Sequence, residues 1–290
     1  VQALPLENSF RLSRVGITGV KKPVRIHRPH RGTLTLIADI SLYVNLPSTQ
    51  KGSHMSRNME AVTEVIDATV RQPVTGLEEL SAQICRMLLD RHTYATFAEV
   101  DMVADYFLER HLAPDRRSLE PYRLLARATM ERDGPLHKRI GVEVSGMTAC
   151  PCAMETVQGV LRDRNPKLRG VLEQLPTITH NQRNLTTVLL EVPEEADIEA
   201  DDLIEIAESS MSSPTYGMLK RGDEAELVLR AHERPMFVED VVRDILAKIL
   251  EKYAALPDAT QVTVRSESVE SIHKHNAYAE RVTTLGELRD

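Results

Sequence analysis

Two thiols flank a proline in Gly146-Met147-Thr148-Ala149-Cys150-Pro151-Cys152-Ala153, where a strand-like pattern gives way to a helical one. The N-terminus of a helix carries partial positive charge and favours thiolate, the form that acts as nucleophile or metal ligand. Alone the pair is ambiguous. It is not a four-cysteine zinc site, it misses the Pro-Cys-x-x-Cys spacing of zinc nucleobase deaminases, and free cysteines are often simply buried. Five other segments hold complementary groups. His180-Asn181-Gln182-Arg183 offers an imidazole ahead of a strand. Lys220-Arg221-Gly222-Asp223-Glu224 sets two cations beside two carboxylates, which is either a solvated turn or a metal carboxylate with cations for phosphate. Glu270 and His273 stand three residues apart, as in a polar edge strand or an acid–base pair. Glu239 falls in the first turn of an amphipathic helix, where an acid ordinarily complements the dipole. Finally, Ser48-Thr49-Gln50-Lys51-Gly52-Ser53-His54-Met55-Ser56-Arg57 leads into a helix with a glycine, hydroxyls and cations, a place where free backbone N–H groups welcome an anion.

The elements that must position these groups follow from periodicity. Alternation of Leu34, Leu36, Ile40, Leu42 and Val44 predicts a strand over 33–46, after a first strand at 23–28. Met55, Met59, Val62 and Ile66 recur at helical spacing, as do Leu77, Leu80, Ile84 and Leu88 beyond the break at Pro73 and Gly76. Strands at 94–108 and 121–130, separated by the polar segment 114–117, complete a strand–strand–helix–helix–strand–strand order. Asp133-Gly134-Pro135 marks a boundary, so 1–133 and 134–290 read as two units. The second repeats the order: strands at 136–144 and 184–192, helices at 201–211 and 237–254, strands at 260–264 and 277–282. Its second helix has the core face Phe237, Val241, Ile245 and Ile249, and an extra helix near 153–164 lies between its first two strands. The fold class is therefore α+β.

Composition narrows the function. A chain of 290 residues suits two modest cores better than one. With 36 basic against 43 acidic residues the net charge is -7, and aromatics are 4% with no Trp, which argues against a nucleic-acid or anionic-membrane footprint and against a base-stacking platform. No apolar run is long enough to span a membrane and no secretory pattern opens the chain, so a cytoplasmic protein is expected. Three cysteines, Cys85, Cys150 and Cys152, suggest reduced thiols rather than disulfides.

Taken together, Gln50 to Arg57, Ala149-Cys150-Pro151-Cys152, His180-Asn181-Gln182-Arg183, Leu219-Lys220-Arg221 with Asp223-Glu224, Phe237-Val238-Glu239-Asp240 and Glu270-Ser271-Ile272-His273 resemble the motifs of the type IB GTP cyclohydrolases, in one order across most of the chain. Arg14-Val15-Gly16-Ile17-Thr18-Gly19-Val20 is similar to that family's start. The resemblance implies the tunnelling fold: two tandem ββααββ units per chain, with antiparallel sheets joining into an oligomeric barrel, as a homodimer or homotetramer with active sites at subunit interfaces. It implies GTP and water as reactants and formate as a product of attack at guanine C8. By the same resemblance Cys150, His180 and Glu224 are metal ligands. Cys152, Glu270 and His273 are catalytic, Glu239 anchors the guanine edge, and Lys51, His54, Arg57, Arg183, Lys220 and Arg221 are candidates for the rest of the substrate.

Three protein ligands leave one coordination position open, as catalytic metal sites do, and a sulfur, nitrogen and oxygen set accepts zinc, iron or manganese. Between the Cys-Pro-Cys and the His-Asn-Gln-Arg lie 27 residues, 153–179. That spacing is more similar to the archaeal branch of the family, which implies Fe(II) and 7,8-dihydroneopterin 2′,3′-cyclic phosphate for methanopterin, rather than the triphosphate of the folate and deazaguanine routes. Two alternatives have their own signatures: an NADPH-dependent nitrile reductase of the same fold would leave His180 and Glu224 idle, and a metal-stabilised structural protein would gain no stability from GTP.

Overall fold

A computed structural model describes residues 8–28, 31–113, 116–196 and 198–290. It is a mixed α+β structure with nine strands among the described residues: β1 (Leu12–Arg28), β2 (Gly32–Leu46), β3 (Phe97–Ala113), β4 (Arg116–Glu131), β5 (Leu136–Ala149), β6 (Asn181–Val192), β7 (Ser213–Pro214), β8 (Gln261–Val269) and β9 (Ala277–Thr284). The helices are α1 (Met55–Arg71), α2 (Leu77–Arg91), α3 (Pro151–Arg164), α4 (Arg169–Leu172), α5 (Ala200–Ser209), α6 (Arg221–Glu233), α7 (Val238–Lys252) and α8 (Leu285–Arg289), with a 3₁₀ turn at Pro166–Leu168. The strands hydrogen-bond in the order β1-β2-β3-β4-β5-β6-β8-β9, with β7 on β5. No helix among the described residues is long and apolar enough to cross a membrane.

Two compact units divide the chain. The first takes residues through Tyr106, then Arg123–Gly141 and Leu190–Ile198. Here β1 and β2 pair antiparallel with Val24 opposite Leu36, and β2 pairs β3 with Ile40 opposite Met102. Period-two alternation puts Leu36, Ala38, Ile40, Leu42 and Val44 on the buried face, and Val62 and Ile66 of α1 with Leu80, Ile84 and Leu88 of α2 are buried as well. Burying each such side chain stabilises by about 1.5–3 kcal/mol. Cys85 sits in this core, its Sγ 3.3 Å from the Ala128 carbonyl oxygen, and burial raises its pKa, so it is a structural thiol.

The second unit takes Phe107–Tyr122, Val142–Leu189 and Glu199–Asp290. Leu203, Ile204 and Ala207 of α5 and Val241, Ile245 and Ile249 of α7 are buried in its core, as are Val262 and Val264 of β8. Gly146 of β5 is a point of close approach, because a Cβ there would stand 2.1 Å from the Met211 sulfur.

Several sequence expectations need correction. Both strands at the Cys-Pro-Cys and His-Asn-Gln-Arg motifs run further than expected, and Tyr94 lies in a turn before β3. Met55 and Met59 are exposed, because α1 turns Asn58, Ala61, Val65 and Thr69 inward beside Val62 and Ile66. Phe237 is the N-cap of α7 and is exposed, while Val238, Val242 and Leu246 join its buried face. Residues 220–224, for which a solvated turn is one of the two readings, open the helix α6, and 270–275, for which a polar edge strand is one of the two, lie in an irregular connection between β8 and β9. Of the polar segment 114–117, Pro114 and Asp115 lie outside the described residues.

Candidate functional site

All but three of the candidate residues belong to the second unit. There β5 ends at Ala149 and Pro151 opens α3 with Cys150 as extended N-cap. Proline suits that first position because its missing N–H would have no partner in the helix anyway. The strand end is bracketed on both sides: the Ala149 N–H donates to Ser212 Oγ at 3.1 Å, and the Ala149 carbonyl accepts from the Met236 N–H at 3.2 Å. Cys150 is half-buried and Cys152, in the first turn of α3, is exposed.

A buried ladder of hydroxyls and one amide joins the strands that lead to the site. Thr148 of β5 meets Ser268 of β8 at 2.9 Å. Asn184 of β6 donates to Ser266 at 2.8 Å and to Ser268 at 3.2 Å, and its carbonyl accepts from Thr186 at 2.7 Å. Inside a protein such a network strengthens itself when every member is satisfied and is costly when one is not, so it fixes the register of β5, β6 and β8. That register matters because Cys150 follows β5, His180 precedes β6 and Glu270 follows β8.

At those strand ends His180 Nε2 lies 4.0 Å from Glu270 Oε2, both side chains being largely buried. Gln182 donates from Nε2 to the other Glu270 oxygen at 3.4 Å. In the segment that carries His180, Gln182 Oε1, Thr177 Oγ1 and Thr179 Oγ1 are buried polar atoms that no donor or acceptor of the chain reaches. Buried polar groups in native proteins are normally satisfied, so this cluster suits a polar ligand. Arg183 reaches Ser145 Oγ at 3.4 Å from an exposed position.

Glu224 stands apart. It occupies the exposed first turn of α6, which begins at the N-cap Lys220, whose N–H donates to Asp223 Oδ2 at 2.9 Å. The other end of α6 is fixed near the site, since His232 Nε2 lies 3.2 Å from the Thr179 carbonyl oxygen. A helix rises about 1.5 Å per residue, which sets Glu224 roughly 12 Å along the axis from that anchor. The segment leading into α6 is held by Glu120, both of whose carboxylate oxygens accept from the Gly217 N–H at 3.0 and 2.9 Å. Among the described residues no three His, Cys, Asp or Glu side chains are gathered closely enough to hold a metal, so Cys150, His180 and Glu224 are suitable donors that this conformation does not bring together.

Glu239 is exposed in the first turn of α7, and Lys220 and Arg221 are exposed at the start of α6. His273 is exposed and stacks on His275 with ring centroids 5.1 Å apart. In the first unit Lys51 is exposed and His54 half-buried, while Arg57 spends one N–H on the Arg91 carbonyl at 3.1 Å. No local signal marks Glu120, His232 or the buried His92, each of which is isolated from any motif and becomes visible only through its tertiary partners.

The chain resembles known proteins in both sequence and fold. The family described as type I GTP cyclohydrolase folE2 matches residues 1–279. The chain is 46% identical over 288 residues to GTP cyclohydrolase MptA of Methanothermobacter thermautotrophicus, covering 96% of this chain and 91% of that protein. It is 43% identical over 291 residues to GTP cyclohydrolase MptA of Methanosphaera stadtmanae, covering 96% and 93%. Among solved structures it is similar to the uricase from Arthrobacter globiformis, with a TM-score of 0.53 at 6% identity over 94% of this chain and 93% of that one, a likeness of fold alone.

Proposed function

The chain belongs to the type I GTP cyclohydrolase family, and from that premise we propose that it hydrolyses GTP at guanine C8, opening the imidazole ring and releasing formate. The observation that carries the reading is the pairing of His180 with Glu270 at the ends of strands locked by one buried ladder, beside the Cys150 strand end. In this reading Glu270, with Gln182 on one oxygen, takes a proton from the attacking water. His273 delivers protons to the imidazole nitrogens, and Cys152 stands at the reacting carbon. Glu239 accepts the two guanine N–H donors that adenine lacks, so a site built on it rejects adenine nucleotides. Arg183, Lys220 and Arg221, with Lys51, His54 and Arg57, take the remaining polar groups and phosphates.

Cys150, His180 and Glu224 are the proposed ligands of one divalent ion per subunit, Fe(II) before zinc or manganese, which when bound would supply Lewis acidity that brings the pKa of water toward neutrality. Their thiolate, imidazole and carboxylate chemistry supports the assignment. The orphaned polar atoms of Thr177, Thr179 and Gln182, in the segment that carries His180, support a ligand there as well.

The proposed assembly is the tunnelling fold, with tandem ββααββ units and sheets that continue between subunits of a homodimer or homotetramer. Support comes from the fold likeness to uricase and from β1 and β9, which end the strand order. Leu119, Leu185 and Val282 are exposed on strands in keeping with such an assembly. Similarity to the MptA proteins and the 27-residue segment at 153–179 support the 2′,3′-cyclic phosphate of 7,8-dihydroneopterin as product, on the route to methanopterin. Anaerobic reconstitution with ferrous iron, manganese and zinc in parallel, followed by mass analysis of the pterin formed from GTP, tests this. A cyclic phosphate made best with iron supports it, and a triphosphate product rejects the methanopterin assignment.

A further inference from the structure

The segment 50–57 of the first unit is held by a turn that no sequence motif marks. Asn58 Oδ1 lies 2.7 Å from His92 Nε2, His92 Nδ1 lies 2.8 Å from the Tyr94 hydroxyl, and that hydroxyl lies 2.8 Å from Ser53 Oγ. Asn58, His92 and Ser53 are buried. Burial, assisted by the charges of Arg57 and His54, lowers the His92 pKa to about 4, so its ring is neutral at physiological pH. This fixes the direction of the chain of bonds. The Asn58 amide nitrogen faces the Met55 sulfur at 3.7 Å, which leaves its carbonyl oxygen to accept from the Nε2–H of His92. A neutral imidazole with its proton on Nε2 has a lone pair on Nδ1, which accepts from Tyr94 O–H; the Tyr94 oxygen then accepts from Ser53 O–H.

The turn is itself rigid. Arg132 donates to the carbonyls of Leu89, His92 and Ala95 at 2.7, 2.9 and 2.8 Å, and the Ala95 N–H closes onto the His92 carbonyl at 2.8 Å. Arg57 adds a third tie from the start of α1, to the carbonyl of Arg91. Residues 91–94 therefore act as a template against which 53–58 is laid.

We propose that Asn58, His92 and Tyr94 are positioning residues: they touch no substrate, and by fixing Ser53 they set where Lys51 and His54 stand for the anionic end of the nucleotide. The inference rests on the reading of Lys51 and His54 as substrate contacts. Purified metal-loaded Tyr94→Phe, Ser53→Ala, the double variant and Lys51→Ala are compared with the wild type for formate release from GTP, with melting temperatures recorded. Tyr94→Phe removes both bonds of the hydroxyl, and since only the one to Ser53 bears on the 50–57 segment, KM should rise about fivefold with kcat within about twofold of wild type. Because Tyr94 and Ser53 share one bond, the double variant adds little to either single one. A merely structural role would lower the melting temperature and leave KM unmoved. If Lys51→Ala raises KM and Tyr94→Phe does not, the positioning role is overturned; if Lys51→Ala also leaves KM unchanged, the substrate-contact reading falls and the positioning role with it.

Discussion

The His232 imidazole is fastened between two carbonyl oxygens, with Nε2 3.2 Å from Thr179 and Nδ1 2.8 Å from Val228, so the last turn of α6 is tied to the residue that precedes His180. The ring is 1% exposed, and it is one of only two buried side chains that α6 possesses, the other being Ala231. Most of this helix is thus secured to the rest of the unit at one end.

Replacing His232 with Leu keeps bulk and removes the ring N–H donation to these part-buried carbonyls, at a cost of about 1 kcal/mol. The His232→Leu protein should melt at lower temperature and bind metal on the order of tenfold more weakly, because the backbone that presents His180 loses its brace. Melting curves and a metal titration check this. Unchanged metal affinity would show that the tie to Thr179 does not position His180.

The two thiols divide the work at the start of α3. Cys150→Ala should lose both metal and turnover, whereas Cys152→Ala should keep metal and lose at least about a hundredfold in kcat. Elemental analysis of the two purified variants beside a formate assay separates these outcomes. Equal loss of metal in both contradicts the division.

Acid should destabilise the first unit through His92. Its folded pKa is about 4 against an ordinary 6.5, so between those values the unfolded chain binds a proton that the folded chain does not. The stability that neutral His92 contributes is full above pH 6.5 and is lost as pH falls toward 4, to an extent on the order of 2 kcal/mol. Denaturant titrations at pH 7 and pH 4.5 should show a larger loss for the wild type than for His92→Gln, which cannot titrate. An equal loss in both proteins argues that other groups carry the acid sensitivity.

Glu239 is the proposed guanine anchor. Glu239→Gln keeps its size and exchanges one acceptor for a donor, so KM for GTP should rise by about a hundredfold or more with the melting temperature unmoved, as expected for an exposed side chain. Steady-state kinetics checks it, and an unaltered KM removes Glu239 from the site.

Much of the fold was legible because the signals are local. Alternation along 33–46 and helical spacing at Leu77, Leu80, Ile84 and Leu88 correspond to β2 and α2 as observed. The helix at 221–233 was hidden because its sequence has little apolar periodicity, with charged residues on most faces and only Ala231 and His232 buried. In the site, Glu270 and His180 stand 4.0 Å apart, a pairing of two separate motifs that their spacing in the sequence does not announce. Family resemblance implies that Glu224 neighbours Cys150 and His180, and the extended run of α6 holds it away from His180 in this conformation. Asn58, His92 and Tyr94 are illegible in the sequence for a different reason. A buried hydrogen-bonded relay joins residues up to 41 positions apart, and nothing in the spacing of single His, Tyr and Asn residues announces it.

The central claim, hydrolysis at guanine C8, is tested most directly by following GTP labelled with heavy carbon at C8 by NMR, using metal-loaded protein under anaerobic conditions. The label should leave the nucleotide and appear as formate, in step with loss of GTP, and Cys150→Ala should abolish its release. Label that stays in the nucleotide with the fully metal-loaded wild type would contradict the account.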